Sequence, residues 1–269
     1  MHSTTQNKKG GFPKLARTIW NSGILLPLFI LLLWWWGSKS GWWSAFLLPG
    51  PFRVLRTFFS LAASGELLTH TLASLLRIAK GFTASALFAL ALAFASGLYK
   101  PLLRQIAPLL ELLRHIPPMA TIPMLILWFG IGEASKLVII VMATFFPIYL
   151  NTVQGISQCD PKLLEVAQSF GYTRLQTLRH VVLPSALPYI FTGMRLGLGY
   201  SWRSLIAAEL VAASSGLGYM ILDAEQLSRP DVILVGILVI GFLGSTIDLL
   251  FSAATRYFAP YGSVSNGVA

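Results

Sequence analysis

From Val232 to Ala254 the chain reads VILVGILVIGFLGSTIDLLFSAA, twenty-three residues with one ionisable side chain, Asp248. Wound as a helix at about 1.5 Å per residue, such a run matches a hydrocarbon layer of about 30 Å. Lipid offers the backbone no hydrogen-bond partner, so a helix that satisfies its own N–H and C=O groups is the form such a run can take. Similar runs are read at 19–36, 68–98, 101–131, 137–152 and 189–211, for about six spans. The expected fold is an all-α membrane protein.

Composition supports this. Charged residues make up 11% of the chain and hydrophobic ones 55%, with a mean hydropathy of +0.69. A soluble domain carries about 25% charged residues. The net charge of +10 does not point to nucleic acid, because the basic residues sit in short loops beside the apolar runs, where they set membrane orientation. One cysteine, Cys159, excludes an internal disulfide framework, and four scattered histidines offer no metal-ligand spacing. No metal site is expected.

The first run follows a basic stretch but ends in Trp34-Trp35-Trp36, not in a small-residue cleavage site, so a retained span is expected. Pro49, Gly50 and Pro51 break the chain before a short helix that would lie in the membrane interface. Pro117, Pro118 and Pro123 bend the third run, which lipid tolerates where the freed backbone is covered by protein or lines a wet cavity. With the N-terminus inside, eleven Lys and Arg fall in cytoplasmic positions and seven outside, Arg77, Lys80 and Lys136 among the latter. Both termini are therefore expected in the cytoplasm. The expected division is a first span with its flanks at 1–60, a core at 61–258, and a tail at 259–269.

That orientation places residues 157–188 in the cytoplasm. Asp160 precedes Pro161, a cap followed by a proline suited to the first helical position. Gly171 fits the left-handed residue that ends a helix, and Thr173 can cap a second helix that Pro184 and Pro188 would stop. Leu163, Val166, Ala167 and Phe170 share one face of the first helix. A helix this short is not stable alone, so it folds back on its own bundle or docks on a partner.

The segment resembles the loop E-A-A-x3-G-x9-I-x-L-P of the permease subunits of bacterial ATP-binding-cassette (ABC) importers. Here it reads Glu165-Val166-Ala167, then Gly171, then Val181-Val182-Leu183-Pro184, with Val166 and Val181 as mild departures. RHIPPMATIPMLILWFGIGEASK, LPSALPYIFTGMRLGLGYSW and AAELVAASSGLGYMILDA are similar to the branch serving aliphatic sulfonates and taurine, with nitrate and bicarbonate permeases more distant. The resemblance implies the type I ABC importer permease fold. It also implies a homodimer in the inner (plasma) membrane, two ATPase subunits that bind ATP and Mg, and an external solute-binding protein. Glu165, Ala167 and Gly171 would hold a coupling helix on the ATPase, and Leu183 and Pro184 would set its exit into the next span. The sequence has no G-x4-G-K-[ST] phosphate loop, so no nucleotide cofactor is expected in this chain.

Gly193, Gly197 and Gly199 permit close helix approach and are read as packing positions. Arg203, after Trp202, is an intramembrane arginine, which either faces a wet, anion-carrying path or pairs with Glu209 or another carboxylate. Arg195 is read as snorkelling or bonding a carbonyl, and Asp248 as a paired acid near Arg256. Ser214 to Gln226 is too short for a span and is read as a partly inserted external segment. The leading expectation is an importer permease for a small organic anion, with no catalytic residues. Its alternatives are a nitrate, bicarbonate or other small-solute permease, or an ion-coupled secondary transporter.

Overall fold

The computed structural model describes Gly23 and residues 25–258, with side chains as far as Thr255. Expectations for 1–18, for the start of the first run and for 259–269 fall outside the described residues, which are helical and hold no strand. Helix α1 (Leu25–Lys39) leads to α2 (Pro51–Ala63), then α3 (Glu66–Leu98), α4 (Lys100–Leu113) and, after a 3-10 turn, α5 (Ile122–Phe129). There follow α6 (Glu133–Ser157), α7 (Pro161–Ser169), α8 (Arg174–Thr177), α9 (Leu183–Ala212), α10 (Leu217–Gln226) and α11 (Pro230–Phe258).

Among the described residues, four helical stretches are long and apolar enough to cross a membrane: α3, α6, Arg174–Ala212 and Pro230–Thr255. The third run is broken at its prolines, and counted as one span it would be the fifth among the described residues. Its halves, α4 and the segment Pro118–Phe129, meet at 79°. The reason lies in the residues between them, where Pro117 and Pro118 remove consecutive backbone donors and hold the chain extended. Helix α4 has no buried residue, whereas α5 buries Ile122 and Leu125 against Ile139 of α6. Within the described residues the first run is helical over Leu25–Lys39, 15 residues.

Helix α6 is the centre of the bundle, packed along α3 on one side and α9 on the other. The sequence makes both contacts close. On α3 the inward stripe is small, with Ser85, Ala89 and Ala93 fully buried and Gly81 facing Ile140. On α9 Gly193 sits so near α6 that an added Cβ would meet the carbonyl oxygen of Pro147 at 2.8 Å. Small residues let helix backbones approach where lipid gives no hydrophobic drive to associate. Gly193→Ala is accordingly expected to force α6 and α9 apart and to cost about 1–3 kcal/mol. Thermal unfolding of the purified protein in detergent checks this; an unchanged midpoint would argue against the contact.

Amphipathic α2 lies as a surface brace. It buries Val54 and Leu61 and ties to the start of α11 through a hydrogen bond from Thr57 Oγ1 to Asp231 Oδ2 (2.8 Å). Helix α10 covers the same end of the bundle, burying Leu217, Met220 and Ala224 against α9 and α11.

Candidate functional site

Three arrangements carry the chemistry. The first is the turn between α7 and α8. Asp160 caps α7 by accepting a hydrogen bond from the Lys162 N–H (2.9 Å), and Gly171 ends it at φ +71°. Thr173 and Gln176 then form a reciprocal capping box at the start of α8. The second helix does not stop at Pro184. The chain passes through a π-helical turn, Leu178–Val182, and continues without a break into α9. A turn with i→i+5 bonding re-registers the ladder just where Pro184 cannot donate, which lets the helix run on past the ring.

Within α7 the apolar residues divide. Ala167 is buried, and Leu164 packs on the cluster of Ile156, Cys159, Val182 and Ala186. Leu163, Val166 and Phe170 point outward, Phe170 with 77% of its surface exposed, and Tyr172 and Leu175 are exposed beside them. The predicted single face is thus two: a narrow inner one that docks α7 on its own bundle, and an apolar outer one left exposed among the described residues.

The second arrangement is a cavity of about 320 Å³ between α9 and α11, floored by Ile78 of α3. Arg195, Leu198, Trp202 and Arg203 line it from α9, and Gly244, Ile247 and Asp248 from α11. Arg195 holds Asp248 with two parallel bonds, Nε–Oδ1 at 2.7 Å and Nη2–Oδ2 at 2.6 Å. The Arg203 guanidinium lies 5.3 Å from the Tyr200 ring centroid and belongs to no ion pair among the described residues. Gly199 stands apart from Gly193 and Gly197: it lines this cavity, and a Cβ added there would meet Arg203 Nη2 at an ordinary 3.8 Å.

The third arrangement replaces the pairing considered for Glu209. That carboxylate is fully buried and bonds not Arg203 but Arg77, Nη1–Oε1 at 2.7 Å, a side chain counted from the sequence as external. Ser74 Oγ donates to the same carboxylate at 2.9 Å, and the Gly218 N–H reaches it at 3.0 Å. Arg77 also grips Glu133 at the head of α6 (2.8 and 2.7 Å) and the carbonyl of Ser215 (2.7 Å), and Lys136 closes on Glu133 at 3.0 Å. Two cations and two carboxylates thus balance. Arg77 escaped detection because a basic residue near a span end reads as an orientation charge. The available signal was Ser74, Arg77 and Ile78 on one helical face, continuous with Gly81 and Ser85.

Comparison with known proteins places this geometry. The family model described as binding-protein-dependent transport system inner membrane component matches residues 81–261. The protein named "Putative aliphatic sulfonates transport permease protein SsuC" of Bacillus subtilis (strain 168) is 40% identical over 236 residues, covering 88% of this chain and 86% of that one. The taurine transport system permease protein TauC of Escherichia coli (strain K12) is 37% identical over 233 residues, covering 82% and 85%. The bundle also superposes on the crystal structure of an amino acid ABC transporter with histidines, with a TM-score of 0.60 at 17% identity, over 76% of this chain and 97% of that chain. An all-helical bundle of the type I ABC importer permease kind and a family match over most of the chain lead to one conclusion: the protein belongs to the binding-protein-dependent transport system inner membrane component family, as a non-catalytic transport permease subunit of an ABC importer.

Proposed function

We propose that the chain carries an aliphatic sulfonate inward, as one of two identical permeases seated on two ATPase subunits, with the solute handed over by an external binding protein. The carrying observation is the outer face of α7, where Leu163, Val166 and Phe170 lie bare at the end of a capped, two-helix turn. An apolar patch of that kind marks a surface for another protein. Glu165, Val166, Ala167 and Gly171 form the contact helix and its turn. Val181, Leu183 and Pro184 join it to α9, so movement of the ATPases is passed to a membrane-spanning helix. In this reading both termini and residues 157–188 face the cytoplasm, in agreement with the distribution of Lys and Arg.

The sulfonate assignment draws its support from the relatives named for aliphatic sulfonates and taurine. It also draws on Arg203 and Trp202 at mid-depth, where an arginine is retained against a cost of about 2.5–3.5 kcal/mol in the bilayer centre. Glu209 serves the pathway indirectly, by holding the α9–α10 junction. The test reconstitutes the permease with its ATPase and binding protein in vesicles and follows labelled ethanesulfonate. ATP-dependent uptake is expected. ATP-dependent uptake of bicarbonate or nitrate with none of any alkanesulfonate would replace the substrate.

A further inference from the structure

The cavity between α9 and α11 has a definite charge and a definite wall, and together they select a ligand. Arg195, Arg203 and Asp248 are the charged groups that line it. Arg195 and Asp248 neutralise each other through two bonds, so the cavity is left with one uncompensated positive charge, on Arg203. The lining also has an apolar part, formed by Ile78, Leu198 and Ile247. The indole Nε1 of Trp202 lies by Gly244, 3.1 Å from where a side chain there would begin, and Ser245 adds a hydroxyl to the same lining. Residues 195–203 are the middle of α9 and residues 244–248 the middle of α11, so this site lies midway along both helices, with Arg195 and Arg203 exposed and Asp248 half-exposed at its open side.

We propose that this cavity is a way-station for a monoanion with a short apolar tail, with Arg203 as the anion contact and the Arg195–Asp248 pair as a neutral wall. The proposal rests on the sulfonate reading above and narrows it. A sulfonate offers three acceptor oxygens, which suit a guanidinium, an indole N–H and a hydroxyl, and its alkyl tail fits the apolar side. An aminosulfonate would bring an ammonium that needs a carboxylate, yet the charge of Asp248, the carboxylate that lines the cavity, is already neutralised by Arg195. The volume, about 320 Å³, is at the lower end of small-molecule sites, which span about 300–1,000 Å³. A single screened cation, with no bidentate cage, also allows release onward, as transport requires. A simple alkanesulfonate is therefore held better here than taurine.

The test needs no transport. In the assembled complex, Ser245→Cys is introduced on a Cys159→Ser background, and mixed-disulfide formation, with methanesulfinate as the leaving group, is followed with two methanethiosulfonates of similar size, one bearing an ethyl sulfonate and one an ethyl trimethylammonium. Rates are divided by those of a free thiol. The anionic reagent is expected to react about tenfold faster, as one nearby unit charge implies. Arg203→Gln and Arg203→Met should each remove that bias, and Asp248→Asn, which releases Arg195, should increase it. Ethanesulfonate should protect the thiol at lower concentration than taurine. Protection needs no change at Arg203, so it remains decisive if those variants fold poorly. A bias that survives loss of Arg203, faster reaction with the cation, no reaction with either reagent, or no protection by ethanesulfonate would each overturn the site. Vesicle uptake by the unmodified chain tests the sulfonate reading separately, and it can succeed while this site fails.

Discussion

Arg77→Ala is expected to lower stability by about 3–5 kcal/mol, the largest effect of any single substitution outside the apolar core. The arginine is 5% exposed and spans two carboxylates and a backbone carbonyl. Its removal strands Glu209, which is fully buried and keeps only Ser74 and the Gly218 N–H as partners. The loss should show as a fall in thermal midpoint and in monodisperse yield from detergent. Two comparisons locate the cause. Glu133→Ala should cost about 1 kcal/mol or less, because its side chain is 60% exposed and screened. Arg77→Met combined with Glu209→Gln should be less damaging than the sum of the single changes, because no unpaired buried charge remains. Equal effects of Arg77→Ala and Glu133→Ala would mean that the network is not the unit described.

Gly171→Val is expected to reduce ATP-driven uptake about tenfold while leaving the transmembrane bundle folded. Gly171 has φ +71°, where a β-branched residue pays about 1–2 kcal/mol. Helix α7 has only 9 residues and one buried side chain, Ala167, so it has little stability of its own to absorb that strain. The expected result is a disordered contact helix, with ATPase activity no longer responding to loaded binding protein. Gly171→Asn is the control, because asparagine tolerates the left-handed region, and it should retain most uptake. If valine and asparagine behave alike, geometry at this turn does not limit coupling.

Much of the bundle could be read from the chain because lipid imposes a plain rule, long apolar runs as helices. Gly171 and the Asp160 and Thr173 caps were equally legible, since each depends on neighbours within a few residues. What escaped was long-range. Pro184 reads locally as a stop, but the π turn before it lets the helix continue. Leu163, Val166, Ala167 and Phe170 share a helical stripe, but which edge of it turns inward depended on where Cys159 and Val182 lie. Arg203 had one carboxylate close in sequence, Glu209, but that acid is claimed by Arg77, 132 positions away. Partners across a bundle leave no local trace.

The unbroken helix from Arg174 to Ala212 has a mechanical meaning. Its 39 residues make a rod of about 58 Å. One end begins at the turn between α7 and α8, the middle bears on α6 at Gly193 and Gly197, and Glu209 near the other end is clamped to α3. A rod with a close central bearing behaves as a lever. A tilt of a few degrees about that bearing swings its two ends in opposite directions by a few ångströms, so in the proposed assembly a push at the α7–α8 turn becomes an opposite displacement at the far end. The π turn sits between the bearing and the push, and is where such a lever would first bend.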